Sequence, residues 1–288
     1  MGNKRFVKNI FVFLRSEIRY LVFNTKLILL PVLLILINGM VAAPLVQNSK
    51  EIGFKLSCFE PFLALTNSGM VLLMLPLAFI TILADYPQVG KVEVLSIFRS
   101  SKRIYVCGNL LFSTFAIIVY LTFLLLASML MIIGHGSFTR DFSDAVTKYL
   151  SVFPDREFAP IRELVPPNLY NQFYLYHALL ITFSTLFLYL FLLTNILLFF
   201  TVINRRLMGI VCNVILIAVG TFTVSIKIKA MWLFPMAHTI PWLHFTEYYS
   251  KPVFPMEMSF VYLIVFNVIM IMLSFIFARK FDIIKNAD

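Results

Sequence analysis

The sequence predicts an all-α polytopic membrane protein with six transmembrane helices, an N-terminal interfacial amphipathic helix and a re-entrant segment before the last span. Three observations carry this reading. Of 288 residues, 60% are hydrophobic and only 13% charged, where a soluble domain has about 25% charged residues, and the mean hydropathy is +0.91. Six apolar stretches each reach the roughly 20 residues needed to cross a bilayer. Basic residues gather in alternate connections, as the positive-inside rule requires. A soluble core cannot hide this much apolar surface, so most of the solvent must be lipid.

Residues 1–26 come first, as a cytoplasmic amphipathic helix. At 100° per residue, Phe6, Val7, Ile10, Phe11, Phe13, Leu14, Ile18, Leu21 and Val22 share one wide arc. Arg5, Lys8, Arg15 and Arg19 occupy the opposite one, with Val12 the one apolar intruder. Such a helix lies in the headgroup layer with its basic face, including Arg15 and Arg19, toward anionic lipid. The alternatives are a helix packed on a partner and a longer first span. The start is not a cleavable signal, because no small-residue cleavage site follows the first apolar run. Phe6 also replaces the Ser or Thr of a myristoylation site.

The transmembrane domain, 27–278, follows, with spans expected at Leu27–Val46, Leu63–Ala84, Gly108–Ile133, Leu175–Phe200, Leu207–Ile226 and Phe260–Ala278. An even number of crossings puts both termini on one side. With the termini in the cytosol, the inner segments hold fifteen Lys and Arg against five acidic residues, and the outer ones nine against nine. The whole net charge of +10 therefore lies inside. That explains the basic balance without nucleic acid, for which no soluble basic domain exists. Both termini, including the tail 279–288, are expected in the cytosol of a plasma membrane, and the Phe-, Ile- and Leu-rich, Gly-poor composition suits a bacterial one. Cys58, Cys107 and Cys212 fall at three different levels, so they read as apolar filler rather than disulfide partners.

Three connections are unusual. Residues 85–107 face the cytosol and alternate charge with Val, Leu, Ile and Phe. The outer loop 134–174 is long and broken by Pro154, Pro160, Pro166 and Pro167, which suits a small helical or irregular cap. The outer segment 227–259 is rich in Trp, Tyr, Phe, Met and Pro. It is too apolar for a wet loop and too broken for a span, which favours a re-entrant hairpin over an aromatic loop on the surface. Trp232 and Trp242 are expected at the outer membrane interface.

Searches for chemistry return little. His238, His244 and Glu247 cluster in sequence, but the His-Glu-x-x-His arrangement of a zinc hydrolase is absent. His135 and His177 stand alone at span ends. Gly-x-Ser-x-Gly is missing. Gly90-Lys91 ends like a phosphate-binding loop, yet Asp85 stands where the first Gly belongs and Val92 where Ser or Thr should hold Mg²⁺. No catalytic, metal or cofactor residue is assigned. The span interiors carry no Asp, Glu, Lys or Arg, unlike ion-coupled carriers, and no duplicated halves are visible. Asn38, Asn67 and Asn213 are candidate pathway residues, although buried Asn more often ties helices together. Pro31, Pro44 and Pro76 are expected to kink the first two spans. The chain reads as a translocation unit without its own energy source.

An amphipathic N-terminal helix, six spans, a charged helix between spans two and three and an aromatic re-entrant segment together resemble the permease subunit of an ABC-2-type exporter. In that family the loop after span two commonly has an acidic residue, then Gly, an apolar-charged helix and a basic turn ending at Gly. The matching positions are Asp85, Gly90, Lys91–Phe98, then Arg99, Lys102 and Arg103, and Gly108. The likeness spans the whole chain by architecture, and its motif content is this one segment. The sequence departs from the family in reducing the acidic pair to Asp85 and Glu93, and in the length of loop 134–174. The resemblance implies a pair of permeases, identical or sister, carried on two separate ATPase subunits that bind the ATP and Mg. It implies export of a peptide, lipid-like molecule or drug, with segment 85–107 docked on the ATPase. Val92, Leu95 and Phe98 lie within one arc and can fill an apolar groove, while Lys91, Glu93 and Arg99 supply a charged rim. Tyr105 is placed to brace the turn into span three. The alternative for this segment is an amphipathic loop on headgroups. For the chain, the alternatives are a scaffold or sensor subunit, or a lipid- or peptide-modifying enzyme using the His238–Glu247 region.

Overall fold

In the computed structural model, residues 11, 14–87, 102–153, 163–246 and 252–278 are described. Among them, five helices are long and apolar enough to cross a membrane, so the chain is an α-helical, polytopic membrane protein. Residues 14–22 form α1. The spanning helices are α2 (Thr25–Ile52), α5 (Lys102–Met131), α9 (Leu175–Val202), α10 (Arg206–Ser225) and α11 (Met256–Ala278). Between them lie α3 (Glu60–Ala64), α4 (Gly69–Ile82), α6 (Asp144–Thr147), α7 (Tyr149–Val152) and α8 (Pro167–Tyr170). Two-residue strands β1 (Leu56–Ser57) and β2 (Gly136–Ser137) pair in parallel, Leu56 opposite Gly136.

Local chemistry sets these boundaries. The Asn24 side chain accepts from Lys26 N and caps the start of α2. Pro44 cannot donate to the carbonyl one turn back, and the helix widens to a π turn over Asn38–Ala42 just before it. Gly53, at φ +80°, ends α2 by donating its N–H to Ser49 O, a left-handed cap that suits glycine.

The second expected span, Leu63–Ala84, is divided. Thr66 Oγ1 donates to Leu63 O, and Asn67 Nδ2 reaches 2.6 Å to Leu164 O. These polar side chains serve the backbone in a turn, so α4 starts only at Gly69 and runs 14 residues. At 1.5 Å per residue it is about 21 Å long, short of the ~30 Å hydrocarbon core.

Successive helices reverse direction. Lys26, Asp85 and Arg206 meet at one end, called here the junction. Glu60, Ser143, His244 and Ser259 lie at the other, the cap. Helix α9 is the centre: 72% of its apolar window is buried, against 17% for α11 and 22% for α2. The faces left open on α2 and α11 carry Val32, Ile35, Val265, Val268 and Met272, as expected for helices bathed in lipid. Inside, Asn213 Nδ2 donates to Leu193 O, binding α10 to α9, and Asn195 bonds Asn267, binding α9 to α11.

Candidate functional site

The junction is built on the C-terminal end of α4. Its last turn leaves backbone carbonyls without helical donors, and two side chains from elsewhere fill them. Asn24 Nδ2 donates to Ile82 O at 3.1 Å, and the Arg206 guanidinium donates to Ala84 O. A cation there also suits the negative end of the helix dipole. Arg206 is presented by a tight turn in which Asn204 takes φ +62° and Arg205 N returns to Phe200 O at 2.8 Å.

One residue past this capped end stands Asp85. Its Oδ2 is 2.5 Å from Lys26 Nζ, and its Oδ1 is 3.4 Å from the Arg206 guanidinium. Two cations from two different helices therefore share one carboxylate. Beside them Tyr86 is buried, packs its ring tilted against Phe112 with centroids 5.3 Å apart, and donates to Asn109 O on α5. The chain leaving α4 is thus fastened to α2, α5 and α10 within two residues. Glu17 of α1, 3% exposed, lines the crevice next to Asp85 together with Tyr20 and Asn24.

Of the other expected site residues, Gly90, Lys91, Val92, Glu93, Leu95, Phe98 and Arg99 lie outside the described residues. Lys102 and Arg103 open α5, half-buried and exposed respectively. Arg15 and Arg19 are exposed on α1, whose Leu14, Ile18 and Leu21 pack on the core. Trp232 is half-buried and stacked on Phe254 at 4.3 Å, and Lys227 sits over the Trp242 ring at 5.3 Å. Asn38, Asn67 and Asn213 do not converge. Asn38 is exposed, Asn67 binds Leu164 at the cap, and Asn213 binds α9. All three cysteines are free, and no metal-ligand cluster occurs among the described residues.

Above the junction an apolar recess of about 120 Å³ opens between α2, α4 and α5, lined by Leu27, Leu30, Phe79, Ala116, Tyr120 and Phe123 among others. At the cap, Glu60 is fully buried. Its two oxygens accept Ser143 N at 2.6 Å, Ser57 N at 2.9 Å and Ser143 Oγ at 2.9 Å. Burial pushes its carboxyl up to about 7, and the three hydrogen bonds pull the other way.

Sequence reasoning did not join Lys26 or Arg206 to Asp85, having counted the two cations only toward topology and Asp85 toward topology and the coupling motif. It also missed Glu60 with Ser143, and Ser259 between His238 and His244. These partners stand 59, 121, 83, 21 and 15 residues apart. No local motif marks such pairs. Comparison with protein-family models, curated proteins and solved structures finds no match to this chain.

Proposed function

We propose that the chain is the permease subunit of an ATP-driven ABC exporter, coupled to separate ATPase subunits through segment 85–107. The observation that carries this is the Asp85 junction. A segment that is to convert ATPase closure into helix tilting must be fastened where it enters the bundle. Asp85, Tyr86 and the α4 carbonyls are fastened to α2, α5 and α10 at that entry. A rigid-body push on the segment is then delivered to three spans together.

On this reading the divided stretch Leu63–Ala84, which includes α4, makes the second of six crossings, and both termini face the cytosol of a bacterial plasma membrane. Segment 227–259 re-enters from outside. Two permeases, identical or sister, sit on two ATPase subunits that hold ATP and Mg. The substrate is amphipathic or hydrophobic, and the recess beside Tyr120, with its apolar walls, supports that class.

The test is co-purification. Leu95→Asp and Phe98→Asp are expected to release the ATPase from the detergent-solubilised complex while the permease stays inserted. Undiminished ATPase recovery with both variants would remove the coupling assignment.

A further inference from the structure

Two spaces of opposite character meet beside α1. One is the apolar recess of about 120 Å³ between α2, α4 and α5, and the other is the crevice of about 10 Å³ next to Asp85. Leu21, Ile82 and Leu83 stand in the walls of both, so the two adjoin. Val119 lines the recess and is 46% exposed, which opens it toward the lipid side of α5.

The recess suits hydrocarbon. The one side-chain hydroxyl in its walls, that of Tyr120, is spent on Leu75 O at 2.8 Å, and the Tyr120 ring lies 5.0 Å from that of Phe79. A dry apolar cavity of about 150 Å³ accepts benzene, so this one takes a group of roughly that size. The crevice differs in kind. Glu17 and Asp85 put two carboxylates in its walls, beside the rings of Tyr20, Tyr86 and Phe112. At about 10 Å³ it holds one water-sized group.

Asn24 and Tyr86 have little left to offer a ligand there. Asn24 donates to Ile82 O and accepts from Lys26 N, and the Tyr86 hydroxyl donates to Asn109 O. An ionised carboxylate only accepts, so a group held by Glu17 and Asp85 must bring the protons. The ring faces favour that group as a cation. A primary ammonium meets every condition, being water-sized, positive and a donor of three hydrogen bonds. Asp85 already holds such a group, the Lys26 ammonium, 2.5 Å from its Oδ2. The Lys26 side chain is 33% exposed and its long stem lets it turn to the headgroups instead, while Arg206 keeps its hold on Ala84 O.

We propose that recess and crevice form one binding site for a hydrophobic primary amine, with its apolar group in the recess and its ammonium held by Glu17 and Asp85 in place of Lys26. A few placed polar groups at the end of an apolar pocket are the usual make-up of a small-molecule site. The ligand is a free amine rather than an ethanolamine phospholipid, whose phosphate would lie within a few atoms of the same two carboxylates. The site stands on this geometry, and taking the amine as the exported molecule rests on the exporter reading.

The probe is para-fluorophenylbutylamine, followed by fluorine NMR on the full chain in phosphatidylcholine nanodiscs. No ATPase is present, so the outcome is separate from that of the co-purification. A saturable protein-bound signal is expected, displaced by phenylbutylamine and about tenfold less well by phenylbutanol or phenylbutyrate. Glu17→Gln, and Ala116→Leu, which fills the recess, are each expected to weaken binding by about tenfold. Lys26→Gln is expected to tighten it by removing the competing ammonium. The site is overturned by the absence of a saturable signal, by displacement with the alcohol as good as with the amine, or by loss of the signal when phosphatidylethanolamine is added to the discs. An affinity unmoved by Glu17→Gln or Ala116→Leu overturns it too. Should either variant lose helical circular dichroism, Lys26→Gln decides, and an affinity unchanged or weakened there counts against the site in the same way.

Discussion

The side-chain amide of Asn195 donates to the side-chain oxygen of Asn267 across 2.8 Å, while Asn267 spends its own amide on the carbonyls of Leu188 and Leu263. The two residues are therefore not equivalent. Asn267→Leu strands the buried Asn195 amide and frees Leu188 O, whereas Asn195→Leu removes one donor from a residue that keeps two other bonds. Interhelical hydrogen bonds in membranes average about 0.6 kcal/mol and reach about 1.7. Asn267→Leu is expected near the upper figure and Asn195→Leu near the lower, read as the loss of unfolding free energy in mixed micelles.

Gly220 on α10 faces the segment that carries the histidines. A Cβ there would stand 2.8 Å from the Met236 Cβ, while one at Gly39 meets nothing within 4 Å. Gly220→Ala is expected to cost roughly 1–3 kcal/mol by forcing the segment outward. Gly39→Ala is expected to be neutral or to stabilise by up to about 1 kcal/mol through helix propensity. Equal melting temperatures for the two variants would contradict this packing.

How much of this was legible in the sequence varies with the range of the interaction. Apolar runs marked the long helices well: Leu175–Phe200 was expected, and α9 is Leu175–Val202. Leu63–Ala84 misled because summed hydropathy averages over Thr66-Asn67-Ser68. The turn there is made by Asn67 bonding Leu164, 97 residues away. Lys26 and Arg206 were read for the side of the membrane they favour, which charge alone reports, and Asp85 for that and for its place in the coupling motif. Their convergence depends on which helices pack side by side, and a single sequence holds no local trace of that.

Glu60 makes the cap lose stability as pH rises from acid to neutral. Its folded carboxyl sits at about 7 against an ordinary value of 4.5, so the folded state binds this proton more tightly than the unfolded chain does. The stabilisation is full below about pH 4.5 and is lost as pH rises to about 7, a span worth on the order of 3 kcal/mol. Glu60→Gln is expected to flatten the stability profile between those limits, measured by urea or thermal unfolding in micelles at stepped pH. A profile as steep as that of the unsubstituted protein would place the titration elsewhere.

Asp85→Asn separates fastening from stability. The Lys26 and Asp85 side chains are 33% and 40% exposed, and pairs this wet contribute only about 0.2–1 kcal/mol. Asparagine keeps the shape and can still accept from Lys26, while Asn24 and Arg206 go on capping the α4 carbonyls. The melting temperature should therefore move by a few degrees at most. The charge that grips both cations is gone, so a push entering at residue 85 reaches α2 and α10 less firmly. If the segment couples the bundle to an ATPase, ATP turnover should persist while transport falls by about tenfold or more, since a 1.4 kcal/mol loss of coupling is a factor of ten. Asp85→Glu should restore part of it. Transport and turnover that stay in step, with Asp85→Asn no different from Asp85→Glu, would leave the junction a purely structural clasp.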